Sequence, residues 1–185
     1  MRVAIDPGHG MGNRQPGVFD PGATHIENQV RHEEASIVLK YGLTLRDAFR
    51  ARNHEVFMTR DDNEDHAPVG QRATNARNAG AQVFVSLHLN DAEVDSANGL
   101  EVLFRGNDDR ALAQQLQTAL VQVTGFRDRE IKQRNDLAVL TFQGVAVLIE
   151  LGFIANDQNR AVLLNPERRQ AICDTIAEVV ISHFN

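Results

Sequence analysis

Apolar residues fall into short runs and helical stripes that alternate along the chain, which predicts an α/β fold. Residues 2–5 are a short apolar strand, Val3-Ala4-Ile5 at its centre. From about Glu33 to Arg52, Val38, Tyr41, Leu45 and Phe49 recur at helical spacing. Glu55 to Thr59 reads as a strand, Val69 to Ala79 as a helix and Gln82 to Leu87 as a buried strand. Gly99 to Phe104 alternates as a strand, and Asp108 to Val123 is an amphipathic helix. Leu137 to Leu140 and Ala146 to Leu151 are expected to be strands separated by a Gln143-Gly144 turn. Two helices follow, Asp157 to Leu163 and Pro166 to His183, with Pro166 suited to a first turn. Residues 10–30 are rich in Gly, Asn, Pro and Asp without a period, and predict a long loop. An acidic loop is expected at Asp61 to Asp65.

The 185 residues show no repeat, low-complexity tract or linker, so one compact domain over 1–185 is expected. With 42% hydrophobic and 24% charged residues the composition is that of a globular protein. No apolar run approaches the ~20 residues of a membrane span, so no membrane insertion is expected. The net charge of −6 argues against a nucleic-acid binder. Arg127, Arg129, Lys132 and Arg134 cluster locally, but acidic residues are mixed among them. They read as a solvated loop, with contact to an acidic polymer as the alternative. Cys173 is the one cysteine, so no internal disulfide forms, and its helix pattern makes it a core thiol.

Four residues change the picture. His9 follows the first strand in Asp6-Pro7-Gly8-His9-Gly10, where glycines let the backbone turn and a ligand approach. A phosphate cradle is the competing reading, but neither glycine-rich fingerprint fits residues 8–13. Glu34 shares a helix face with Val38, Tyr41 and Leu45, so its carboxylate needs a partner or a metal. Its neighbour Glu33 aligns with a mixed face and suits the helix's first turn. His32-Glu33 begins like H-E-x-x-H but fails at Ser36. His88 ends a strand in which Ser86, His88 and Asn90 share a face; the alternative is a hydrogen-bonded core histidine. Glu150 follows the apolar run Val145 to Ile149, where burial raises a carboxyl toward a general-base pKa; the alternative is a salt bridge to an arginine. Two imidazoles and a carboxylate are the ligand set of a hydrolytic zinc site, with a further Glu as base. His25 and His32 are the substitutes for a different ligand set; His54, His66 and His183 have no comparable setting.

These residues, in this order, resemble the zinc-dependent N-acetylmuramoyl-L-alanine amidases of bacterial autolysins and phage endolysins. Asp6 to Gly10, Glu34 at its helix start, Phe84 to Asn90 and Leu148 to Asn156 carry the resemblance. His54 to Arg60 and Arg72 fit as linking pieces, so the likeness spans essentially the whole chain. Val145 stands where the family often has Pro, and Leu87 and Leu89 where it commonly has Ile and Ala. The resemblance implies one Zn2+ held by His9, Glu34 and His88, with Glu150 as catalytic base. It implies a single-domain mixed β-sheet flanked by helices, the phosphorylase/hydrolase-like architecture. Asp6, Ser86 and Asn90 are candidates for supporting the ligands, since metal-bound histidines donate their other N–H to a neighbour.

Peptidoglycan is then the expected substrate, cut between N-acetylmuramic acid and L-alanine. The alternatives are a zinc peptidase acting within stem peptides and a non-catalytic wall-binding domain. With no separate wall-binding domain and no leader in the sequence, the expectation is a compact, monomeric endolysin. It would accumulate in the host bacterial cytoplasm and reach the wall after membrane breach.

Overall fold

The computed structural model describes residues 1–64, 67–92, 94 and 96–185. The acidic loop expected at Asp61 to Asp65 therefore lies partly outside the described residues, and His66 wholly so. Strand β1 (Arg2–Pro7) leads into two hairpins, β2 (Gly10–Met11) with β3 (Phe19–Asp20) and β4 (Thr24–Glu27) with β5 (Val30–Glu33). Helix α1 (Glu34–Ala51), strand β6 (Glu55–Met58), helix α2 (Val69–Asn78) and strand β7 (Val83–Asn90) follow. Then come β8 (Leu100–Phe104), α3 (Asn107–Thr124), β9 (Asp128–Gln133) and a short 3-10 helix, Ala138–Thr141. Strand β10 (Val145–Phe153) and helices α4 (Asp157–Leu164) and α5 (Pro166–His183) complete the order.

Six strands form one mixed sheet in the order β6-β1-β7-β10-β8-β9. The β10–β8 pair is antiparallel and the other pairs are parallel. The alternation predicted an α/β fold, and the mixed, helix-flanked sheet is the one the family resemblance implied. The period of two divides its chemistry between two faces. Val3, Ile5, Val83, Val85, Leu87, Val147 and Ile149 join the large core with α1, α3 and α5. Ala4, Phe84, Ala146, Leu148 and Leu103 join a smaller core under α2 and the 3-10 helix. Asp6, Ser86, His88 and Glu150 continue that second face to the strands' carboxyl ends, where α/β folds open a crevice. Among the described residues no helix is long and apolar enough to cross a membrane.

Three sequence expectations need correction. Residues 10–30 form two hairpins rather than an unpaired loop, and they feed α1: Glu34 N donates to Ala23 O and Ala35 N to Pro21 O. Helix starts need such acceptors, because their first N–H groups have none within the helix. Leu137 to Leu140 is not a strand; Leu140 N bonds back to Leu137 O, and Val139 and Leu140 bury in the smaller core. A four-residue apolar run carries too little period to separate the two conformations. The charged segment around Arg129 is edge strand β9 rather than a solvated loop. Cys173 is fully buried in α5, and burial pushes its thiol pKa up, as a core cysteine requires.

Candidate metal centre

His9 sits where β1 ends, with a backbone φ of 61° that a non-glycine residue rarely adopts. The strained turn aims its ring inward, so Nε2 lies 3.1 Å from Glu34 Oε1. Glu34 is the first residue of α1 and only 2% exposed. The same Oε1 faces His88 Nδ1 at 3.0 Å and accepts from Leu89 N at 2.9 Å, while Oε2 accepts from Ala23 N at 2.8 Å. Burial alone would raise the Glu34 pKa, but the hydrogen bonds and charges of His88 and His9 outweigh it and hold the carboxyl well below the usual range. One ligand atom from each of His9, Glu34 and His88 lies within 4.8 Å of the others, the one such group among the described residues. Two nitrogens and a carboxylate oxygen are donors that zinc takes. The surrounding backbone is shaped for them. A Cβ on Gly8 would sit 2.3 Å from His88 Cε1, and one on Gly22 would sit 2.5 Å from Glu34 Oε2.

Asp20 closes the outer side of this cluster. Its Oδ2 lies 3.0 Å from His9 Nδ1 and accepts from Asn13 Nδ2 at 2.7 Å, while Oδ1 accepts from Gly22 N at 3.0 Å. Burial opposes ionisation here too, yet these donors bring the carboxyl down to about 2. Beneath the loop two buried arginines grip the backbone on either side of His9. Arg60 donates to Pro7 O, Gly8 O and Ala35 O, at 2.9, 2.9 and 2.7 Å, joining the His9 turn to α1. Arg72 donates to His9 O at 2.8 Å and Pro7 O at 3.1 Å, and pairs with Asp6 at 2.9 Å. Asp6 also accepts from Thr59 and Ser86 hydroxyls, each at 2.6 Å.

Glu150 stands beside His88 in register, β10 against β7. Its Oε2 is buried with no hydrogen-bond partner among the described residues. Burial, reinforced by the charges of Glu34 and Glu101 and offset by His88, raises its pKa to about 7. The side chain borders a cleft of about 730 Å³ that also takes in His9, Asp20, Glu34, His88 and Asn90.

The structure thus brings His9, Glu34, His88 and Glu150 to one place. Asp6 and Ser86 bond to each other below the site, and Asn90 donates to Glu101 Oε1 at 3.2 Å. None of the three reaches a histidine ring nitrogen; Asp20 occupies that position on His9. His25 and His32 are cross-strand neighbours on β4 and β5, outside the cluster. Asp20 is the residue that sequence reasoning missed. Its clue was a second Asp-Pro-Gly, at residues 20–22, repeating the turn residues that precede His9.

Residues 3–182 match the family model described as N-acetylmuramoyl-L-alanine amidase. The chain belongs to that family. This amidase is 31% identical over 199 residues to the uncharacterized protein YqiI of Bacillus subtilis (strain 168), spanning 99% of the chain and 84% of the relative. It superposes with a TM-score of 0.87 on the catalytic domain of CwlV, an N-acetylmuramoyl-L-alanine amidase from Bacillus (Paenibacillus) polymyxa var. colistinus. Identity there is 27%, covering 99% of this chain and 97% of that one. The N-acetylmuramoyl-L-alanine amidase of Clostridium difficile 630 gives a TM-score of 0.87 at 28% identity, covering 99% and 96%.

Proposed function

We propose that this amidase hydrolyses the bond between N-acetylmuramic acid and L-alanine of peptidoglycan with one zinc ion held by His9, Glu34 and His88, and with Glu150 as its proton-transfer group. One observation carries the reading: three compatible donor atoms converge within 4.8 Å, beside a buried carboxyl oxygen that has no partner among the described residues. When bound, zinc would polarise the substrate carbonyl and lower the pKa of water toward ~7.

The protein's own groups supply the rest. A carboxyl with a pKa of about 7 is divided between acid and base at neutral pH. Glu150 can therefore take a proton from the attacking water and return it to the departing alanine nitrogen. Its lack of a hydrogen-bond partner leaves Oε2 available for both transfers. Asp20 fixes which His9 nitrogen carries the proton, keeping the Nε2 lone pair turned toward Glu34 and His88. Arg60 and Arg72 hold the turn from Pro7 to His9, so the ring is placed before substrate arrives.

The test is digestion of purified sacculi by zinc-loaded and by chelator-treated protein, with new amino termini identified by mass spectrometry. Zinc-dependent release of stem peptides beginning with L-alanine is the expected result. Cleavage inside the stems would replace the amidase bond with a peptidase bond, and release insensitive to chelation would remove the metal.

A further inference from the structure

We infer that Arg129 and Lys132 form a carboxylate-binding subsite for the peptide stem that leaves the active site. The inference rests on the reading of the catalytic cleft above.

The sheet order supplies the direction. His9 follows β1, His88 lies on β7, Glu150 on β10, Glu101 on β8, and Arg129 and Lys132 on β9, which are consecutive neighbours across the sheet. Glu150 pairs with Glu101 in register. With strands ~4.8 Å apart, β9 lies about 10 Å beyond Glu150, on the side away from the histidines. Glu150 serves the departing nitrogen on the proposed reading, and the inferred subsite requires the departing peptide to pass Glu150 toward β9. An extended chain rising ~3.3 Å per residue reaches β9 within about three residues.

The cations are placed there by a backbone irregularity. Residues three apart on a regular strand point to opposite faces. Between the Leu100–Asp128 and Val102–Ile131 pairs the register shifts, and Glu130 takes a φ of 64°. The bulge turns Arg129 and Lys132 to the same side, where both meet one oxygen, Oε2 of Glu101. Glu101 Oε1 accepts from Asn90, which lines the cleft.

Two cations on one carboxylate leave a surplus positive charge in a chain whose net charge is −6. Arg129 gives only its Nε to Glu101, at 2.8 Å, and its guanidinium is steadied over the Phe153 ring at 4.9 Å. Both Nη groups are without a hydrogen bond among the described residues, in a side chain 30% exposed. The Lys132 side chain is 43% exposed. A planar guanidinium with free Nη groups beside an ammonium suits a carboxylate. The neighbouring Arg134 is different, because its guanidinium is already taken by both oxygens of Asp136.

The experiment compares two matched peptides, L-alanyl-γ-D-glutamyl-L-lysine and its counterpart with the glutamyl α-carboxyl converted to a carboxamide. Binding to zinc-loaded protein is followed by NMR titration, and cleavage is followed on the corresponding muramoyl peptides. The carboxylate form is expected to bind about tenfold more tightly and to shift the Arg129 and Lys132 side-chain resonances. Arg129→Gln with Lys132→Gln, each able to hydrogen-bond Glu101, should bring the ratio near one, whereas Arg127→Gln should leave it intact. Equal binding of both peptides by the wild-type chain overturns the subsite, as does a preference that survives in the double variant. Because binding is read without turnover, failure of the subsite is distinguishable from failure of the amidase reading. Cleavage of both muramoyl peptides without preference removes the subsite alone; carboxylate-selective binding without cleavage at the muramoyl bond keeps the subsite and removes the bond assignment.

Discussion

Asp20 Oδ2 lies 3.0 Å from His9 Nδ1, while the opposite ring nitrogen lies 3.1 Å from Glu34 Oε1. The imidazole is thus held between a carboxylate outside the cluster and one within it. Asp20→Asn keeps the size and removes the charge that fixes the ring. It should weaken zinc binding by about 10–100-fold, measured by competition with a chromophoric chelator. Unchanged affinity would show that the ring is oriented by its backbone alone.

Glu150→Gln should keep zinc at one equivalent, because Glu150 is outside the three-donor cluster. Turnover on sacculi should fall by about 10²–10⁴-fold, the usual worth of a positioned acid–base group. Full turnover in the variant would assign the proton transfer elsewhere.

The same residue makes metal-free stability depend on pH. The folded pKa of about 7 stands above the ordinary glutamate value of 4.5. The folded chain therefore holds a proton that the unfolded chain has released. Stability from this group is fullest below pH 4.5 and is lost as pH rises through about 7. The full loss is on the order of 3 kcal/mol, at ~1.4 kcal/mol per pKa unit. In chelator-treated protein, the Tm of Glu150→Gln should therefore gain on wild type between pH 5 and pH 8. A constant difference across those two buffers would contradict the burial of the charge.

Arg72→Met leaves Asp6 fully buried without its cation. Breaking such a pair costs about 3–5 kcal/mol, and here it also frees the His9 carbonyl. A large drop in the urea midpoint is expected. A drop under 1 kcal/mol would mean that Thr59 and Ser86 suffice for Asp6.

Gly8→Ala tests room. The added methyl would meet the His88 ring at 2.3–2.7 Å, so the ring must leave its place. Loss of zinc binding with an unaltered far-ultraviolet circular dichroism spectrum is the expected outcome, and retained affinity would show that the turn can yield.

Glu34, His88 and Glu150 were legible in the sequence because their backbone is regular, whereas His9, in its φ 61° turn, was marked by the glycines on either side of it. Glu34 could be chosen over Glu33 because Val38, Tyr41 and Leu45 fix the helix phase, and all three are fully buried. His88 and Glu150 stood out because a polar residue interrupts an apolar strand at its end. Asp20 was hidden by a two-residue strand, too short to show any period. β9 was hidden for a related reason. Its bulge breaks the alternation, and its charges meet a partner on β8 that is distant in sequence. The ligands implied by family resemblance and the convergence of their donor atoms are independent in this respect. Spacing along the chain says nothing about a 3.0 Å approach between His88 and Glu34.

Strand β10 is the last strand in the sequence, yet it lies in the interior of the sheet, between β7 and β8. Until it is inserted, the sheet has a gap beside His88, and Glu150 is not in place. Pairings between strands this far apart in sequence are slow to form. During translation His9, Glu34 and His88 emerge first, and Glu150, the proposed proton-transfer group, emerges only with β10. On the proposed reading, hydrolytic competence is thereby tied to completion of the sheet: a chain that stops before β10 carries the three converging donors and lacks Glu150.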